Sequence, residues 1–239
     1  LCYANDVLES DPDFIEECYK GEKDFSDANY QKAVTDLAEV LSFAQDGWAS
    51  TPDAQITTFF VNDMSAMMFS GTHMFSQIND AAPDFEYGWF AVPDRDGKVN
   101  LLGGGTAGGW ALSAEAAKDP DKQAAFDAFC KYFFSSDVYG AYCEAMAAIP
   151  TTVETPKMNT SEQFKSVLDA LSAADYTHLM WNQEVGNREL PPDFRNFTYK
   201  TCIEVAQGSR DVASASSELQ KTWNVALQSF NPTTGLGVE

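Results

Sequence analysis

Residues 59–93 read FFVNDMSAMMFSGTHMFSQINDAAPDFEYGWFAVP, and how this stretch is read decides the fold. A helix-like lead passes into an apolar run at Ala66–Phe69 that predicts a short strand. The chain then turns at Gly71, presents His73 and Phe75, and closes in a second predicted strand at Tyr87–Val92 before Pro93. A third run of the same kind is Trp110–Ser113. The order of this stretch suggests a ligand cleft between two lobes, and strands this short, set among longer segments of helical period, predict a helix-rich α/β or an α-rich α+β fold.

The helical segments are read from their period. From Tyr30 the apolar positions Ala33, Val34, Leu37, Val40, Leu41 and Ala44 recur every 3.6 residues behind Ser26 or Asp27 as a cap. Asp119 and Pro120 supply a cap and a first-turn proline for a helix whose stripe is Ala125, Phe126, Phe129, Cys130 and Phe133, and Ser136 restarts another. Phe164, Val167, Leu168 and Leu171 predict a helix over 161–171. Phe194, Phe197, Thr201, Cys202 and Val205 predict one over 194–205 that Gly208 stops. The last begins after Asp211 and turns Val212, Ala215, Leu219, Trp223, Ala226 and Leu227 inward. No internal repeat is present, and the tail from Asn231 is expected to fray.

A chain of 239 residues can bury one large core or two small lobes. Its net charge of −21, from 36 acidic and 15 basic residues, opposes any surface that must neutralise phosphates, which argues against nucleic acid as a partner. Adhesion to an anionic leaflet is disfavoured for the same reason. No apolar run approaches the roughly 18 residues that a spanning helix needs. The five cysteines (Cys2, Cys18, Cys130, Cys143, Cys202) have no CxxC spacing, and their odd number leaves at least one unpaired within the chain. Cys130 and Cys202 lie on predicted apolar helix faces, where a free thiol behaves as a small hydrophobe. If a bridge forms, Cys130 with Cys143 is the expected pair.

Gly103, Gly105 and Gly108 satisfy GxGxxG, but a dinucleotide fingerprint needs a helix opening after it, and Trp110-Ala-Leu-Ser reads as a strand. The run is read instead as an interstrand turn, in which the bare peptide groups of Gly104 and Gly105 let ligand hydroxyls approach. The only histidines, His73 and His178, have no HExxH or other metal spacing, so neither a metal nor a cofactor is expected. His178 reads as a packing residue within or between helices. No GxSxG elbow or Walker sequence is present, and pairs such as Glu16-Glu17 are expected on so acidic a surface without catalysis. Aromatic side chains, which stack on the apolar face of a sugar ring, are too abundant for their number alone to select a site.

The segments FVNDMSAM (60–67), Gly71 and FEYGWFAVP (85–93) resemble the core of bacterial extracellular solute-binding proteins of the sugar-binding family 1, the capture subunits of ABC importers. The glycine-rich Gly103–Gly109, residues 111–117, KQAAFDAFCKYFFSSDVYGAYCEAMAAIPTT and the closing helices follow in the family's order. Members are usually nearly twice as long, so the resemblance implies the C-terminal portion of a periplasmic-binding-protein type II fold. It assigns 1–102 and 151–239 mainly to a C-terminal lobe, and 103–150 to the hinge crossing and helices of an N-terminal lobe whose remainder is absent. Those helices would lack the sheet they normally cover.

The implied function is capture of a mono- or oligosaccharide and delivery to an ABC permease, outside the cell, from a lipoprotein or periplasmic protein and without enzymatic activity. The implied contacts are His73, Phe75, Gly104, Gly105, Trp110, Trp181, Phe194, Arg195 and Asn196. Two departures stand out. Asp63-Met64-Ser65-Ala66-Met67 replaces the usual Gly-Lys-Ala-Ala-Met, which alters a turn, and His73 stands where an aromatic often follows the glycine. The rival readings are a carbohydrate-active enzyme such as a glycosidase domain, and a surface protein-interaction module.

Overall fold

The computed structural model describes residues 1–102, 109–152, 154, 156–181 and 184–232. In chain order its elements begin with a π-helical turn at Ala4–Leu8, α1 (Phe14–Lys20), α2 (Ala28–Leu41), α3 (Asp53–Val61) and α4 (Met74–Ala81). Then come β1 (Asn100–Leu102), α5 (Pro120–Phe133), α6 (Ser136–Met146), α7 (Glu162–Ala173), β2 (Tyr176–His178), α8 (Pro192–Ala206) and α9 (Val212–Ala226). By their contacts they form two compact units. Unit 1 is Leu1–Ser50, Val92–Gly105 and Ala174–Glu239; unit 2 is Thr51–Ala91 and Thr106–Ala173.

Three aspartates start helices as their chemistry dictates. The Asp27 carboxylate accepts from the Asn29 and Tyr30 amides, Asp119 from Asp121 and Lys122 ahead of Pro120, and Asp211 from Ser214. In unit 1, α2, α8 and α9 pack on one another around a core of Phe14, Phe25, Tyr30, Phe194, Leu219 and Trp223, among others. Phe25, carried by the α1–α2 loop, lies at its centre, with ring centroids 5.0 Å from Tyr30 and Phe194 and 5.5 Å from Trp223. Burying each such ring stabilises the unit by about 2–3 kcal/mol. Gly208 stops α8 with a φ of 71°, in the left-handed region that glycine favours.

The strands are few. β1 and β2 form a two-stranded parallel sheet in register Asn100↔Tyr176, Leu101↔Thr177, Leu102↔His178. Its near end is extended where the Asp175 amide donates to the Val99 carbonyl and the Val99 amide to the Asp175 carboxylate. Asn100 is buried and donates to the Asn5 side chain at 2.9 Å.

Unit 2 holds a smaller core of Phe75, Ala147, Phe164 and Val167, with Tyr87, Trp89, Ile149, Met158 and Leu168 packed against it. The Tyr139 hydroxyl accepts from the Thr151 amide at 3.2 Å, which fastens the chain leaving α6. A Cβ on Gly140 would collide with the Lys157 carbonyl oxygen, so α6 and that strand-like segment approach more closely than any side chain permits.

Several expectations are corrected. Ala66–Phe69, Tyr87–Val92 and Trp110–Ser113 are irregular, because an apolar run becomes a strand only where another strand satisfies its backbone groups, and none pairs with them among the described residues. Met67 and Phe69 stand about 70% exposed. His178 lies on a strand instead of a helix. The α5 stripe is not a core face: none of its residues is buried, and Phe129 is 40% exposed. The glycine-rich turn, from Gly103 to Gly108, lies outside the described residues.

Candidate functional site

In unit 2, the loop from Asp63 to His73 leads into α4. Gly71 permits its local geometry, since a Cβ there would meet the His73 Nδ1 at 2.9 Å; the imidazole folds back over the bare glycine and remains exposed. Phe75, two residues on, is buried at 6% exposure with its ring 6.0 Å from Tyr87. That ring packs the core of unit 2. Trp110 is different. Its indole is 53% exposed and is held edge-on by Phe129 at 5.0 Å and Phe133 at 5.3 Å. Two T-shaped contacts fix the orientation of a ring whose remaining surface faces solvent.

In unit 1, Trp181 lies 4.7 Å from Tyr3, 6.1 Å from Tyr30 and 6.4 Å from Phe194, partly buried against the core. Its Nε1 and the Tyr3 hydroxyl are buried without a hydrogen-bond partner among the described residues. Phe194 is fully buried among the core rings of unit 1. On α8, Arg195 is half-buried and Asn196 exposed. Gly104 and Gly105 lie outside the described residues. Thus His73, Phe75 and Trp110 belong to unit 2, and Trp181, Phe194, Arg195 and Asn196 to unit 1.

Sequence reading passed over the clamp that follows Trp181. Glu184, whose side chain is 3% exposed, pairs with the Arg188 Nε at 3.4 Å, and Arg188 also donates to the Pro12 carbonyl at 3.1 Å. The Tyr19 hydroxyl donates to the Glu189 carbonyl at 2.6 Å. Burial pushes the Glu184 carboxyl above the usual range, and Arg188 opposes that rise. The i, i+4 spacing of Glu184 and Arg188 was visible, but the burial of Glu184 was not.

Two shallow depressions in unit 1 hold about 490 and 530 Å³. One is lined by Glu204, Arg210 and Asp211, the other by Lys20, Lys23, Asp24 and Trp223, and neither includes an expected contact. Among the described residues no group of three His, Cys, Asp or Glu side chains could hold a metal ion. No described helix is long and apolar enough to cross a membrane. All five cysteines are free thiols, Cys130 and Cys143 included.

The sequence profile described as bacterial extracellular solute-binding protein matches residues 12–167, and the chain belongs to that family. Its fold is part of the periplasmic-binding-protein fold: over 95% of its length it superposes on a chitin oligosaccharide binding protein with a TM-score of 0.70 and 16% identity. It spans 56% of that protein's chain. No curated protein sequence matches it.

Proposed function

We propose that this chain is the C-terminal portion of the substrate-capturing component of an ABC importer, which takes a mono- or oligosaccharide between two lobes and presents it to the permease. It acts outside the membrane, as a periplasmic protein or lipoprotein, and performs no covalent chemistry. The observation that carries this reading is Trp110, an exposed indole braced by two phenylalanines in a solute-binding chain. A flat ring of this kind packs on the C–H face of a pyranose, and neighbouring polar groups select its hydroxyls. His73, Trp181, Arg195, Asn196 and the peptide groups of Gly104 and Gly105 complete the proposed contact set; a guanidinium can fork two ligand oxygens.

The lobe assignment from resemblance belongs to the same proposal. It accounts for the bare aromatic face of α5 and α6, where Phe129, Tyr132, Phe134, Tyr142 and Met146 all stand at least 40% exposed. In the proposal this face meets the remainder of the N-terminal lobe. Binding then closes the lobes by differential affinity for the closed state. Thermal melting of this chain with a panel of mono- and oligosaccharides, beside assay of the same mixtures for released reducing ends, tests the reading. Stabilisation by one class of sugar, abolished by Trp110→Ala and without release, is expected. Turnover of a glycoside would replace it with the enzyme reading.

A further inference from the structure

β1 ends three residues before the chain leaves unit 1 after Gly105, and β2 begins two residues after it returns at Ala174. The three-residue parallel ladder therefore ties two crossings of the chain to each other. Its final pair contains His178. The His178 ring stacks on Tyr176, two residues earlier on the same face, at 6.1 Å and 16°. Its Nε2 is buried with no hydrogen-bond partner among the described residues.

The charged groups facing it come from three directions. Glu9 approaches from the end of the first helical turn, and Arg188 from the turn at Gly186–Arg188. The Lys98 ammonium, just before β1, is bonded to Glu9 and lies 5.5 Å over the Tyr176 ring. Asp175 is occupied by the Val99 amide, and Asn100, opposite Tyr176, is engaged with Asn5.

We propose that His178 makes this ladder acid-sensitive: β1 and β2 stay paired while the imidazole is neutral, and its protonation opens the pair. A second ring proton makes both nitrogens donors, and Nε2 has no acceptor where it is buried. Arg188 adds a like charge, and the one opposing carboxylate, Glu9, is already shared with Lys98. Desolvation accordingly holds the proton affinity of His178 below its ordinary value of about 6.5. The sign follows from linkage. The closed ladder binds the proton more weakly than the open one, so the contribution of His178 is complete above about pH 6.5 and is lost as pH falls below it.

Hydrogen-exchange protection factors of amides 100–102 and 176–178 in the whole chain, between pH 7.5 and 5, test this, with α9 amides as the internal reference. Ladder protection is expected to fall towards acid by up to about tenfold per pH unit below the open-state value. The α9 amides should keep theirs, and His178→Phe should abolish the fall. If the Phe variant does not fold, His178→Gln takes its place with the same expectation. Protection independent of pH, a fall that survives the substitution, or a fall shared equally by α9 would overturn the proposal.

Discussion

Asp63 adopts a φ of 58°, in the left-handed region, at the position where the resemblance expects glycine. A side chain there is strained by about 1–2 kcal/mol, least for aspartate and most for a β-branched residue. Asp63→Gly should therefore melt at or above the wild type, and Asp63→Val about 1–2 kcal/mol below the glycine variant in urea unfolding. Gly140 reverses the usual helix rule. Alanine normally improves an interior helix position by about 1 kcal/mol, but here its Cβ meets the Lys157 backbone, and Gly140→Ala should cost at least about 2 kcal/mol by the same assay. The first site was legible, because a departure from an expected glycine marks a turn. The second was not, because Lys157 reaches Gly140 only through tertiary packing.

Thiol chemistry belongs to the same scale. Burial pushes the Cys18 thiol up to about 12 and Cys202 up to about 11, so almost no thiolate exists at neutral pH. Iodoacetamide at pH 8 should leave Cys18 and the fully buried Cys143 unmodified in the folded chain and label all five cysteines after denaturation, as read by mass spectrometry. Prompt labelling of Cys18 in the native chain would contradict its placement.

Helices were the legible elements, and the reasons are local. Asp27, Asp119 and Asp211 announce three starts, and the apolar periods of α7, α8 and α9 name the residues that are buried or packed in their cores. Strands failed because a three-residue ladder such as β1–β2 takes its stability from a partner some seventy residues away, which no local pattern records. The α5 stripe shows a second limit: its period is helical and apolar, yet period does not say whether a partner exists to cover it. Exposed rings at Trp110, Phe129, Tyr132 and Phe134 should drive self-association, restrained by the net charge of −21. Sedimentation velocity should show association that grows with added salt, as screening weakens that repulsion, and that is lost in a Phe129→Ser, Phe134→Ser double variant. A monomer at every salt concentration would remove the face from consideration as an interaction surface.

At the scale of the whole molecule, membership of the solute-binding family rests on residues 12–167 and the fold on a superposition over 95% of the chain. The site was less legible than the fold. An aromatic ring suits a core and a sugar equally, and sequence could not separate Phe75 and Phe194, which are buried, from Trp110, which stays half-exposed. The central claim is that Trp110 offers part of a sugar site that this chain alone leaves incomplete. Its most direct test is a nuclear magnetic resonance titration of the chain with a panel of mono- and oligosaccharides, following the tryptophan indole N–H signals. The account predicts weak binding, with a Kd of about 1 mM or higher, that shifts the Trp110 indole and disappears in Trp110→Ala. An unshifted Trp110 signal at saturating sugar, or submicromolar binding by this chain alone, would contradict it.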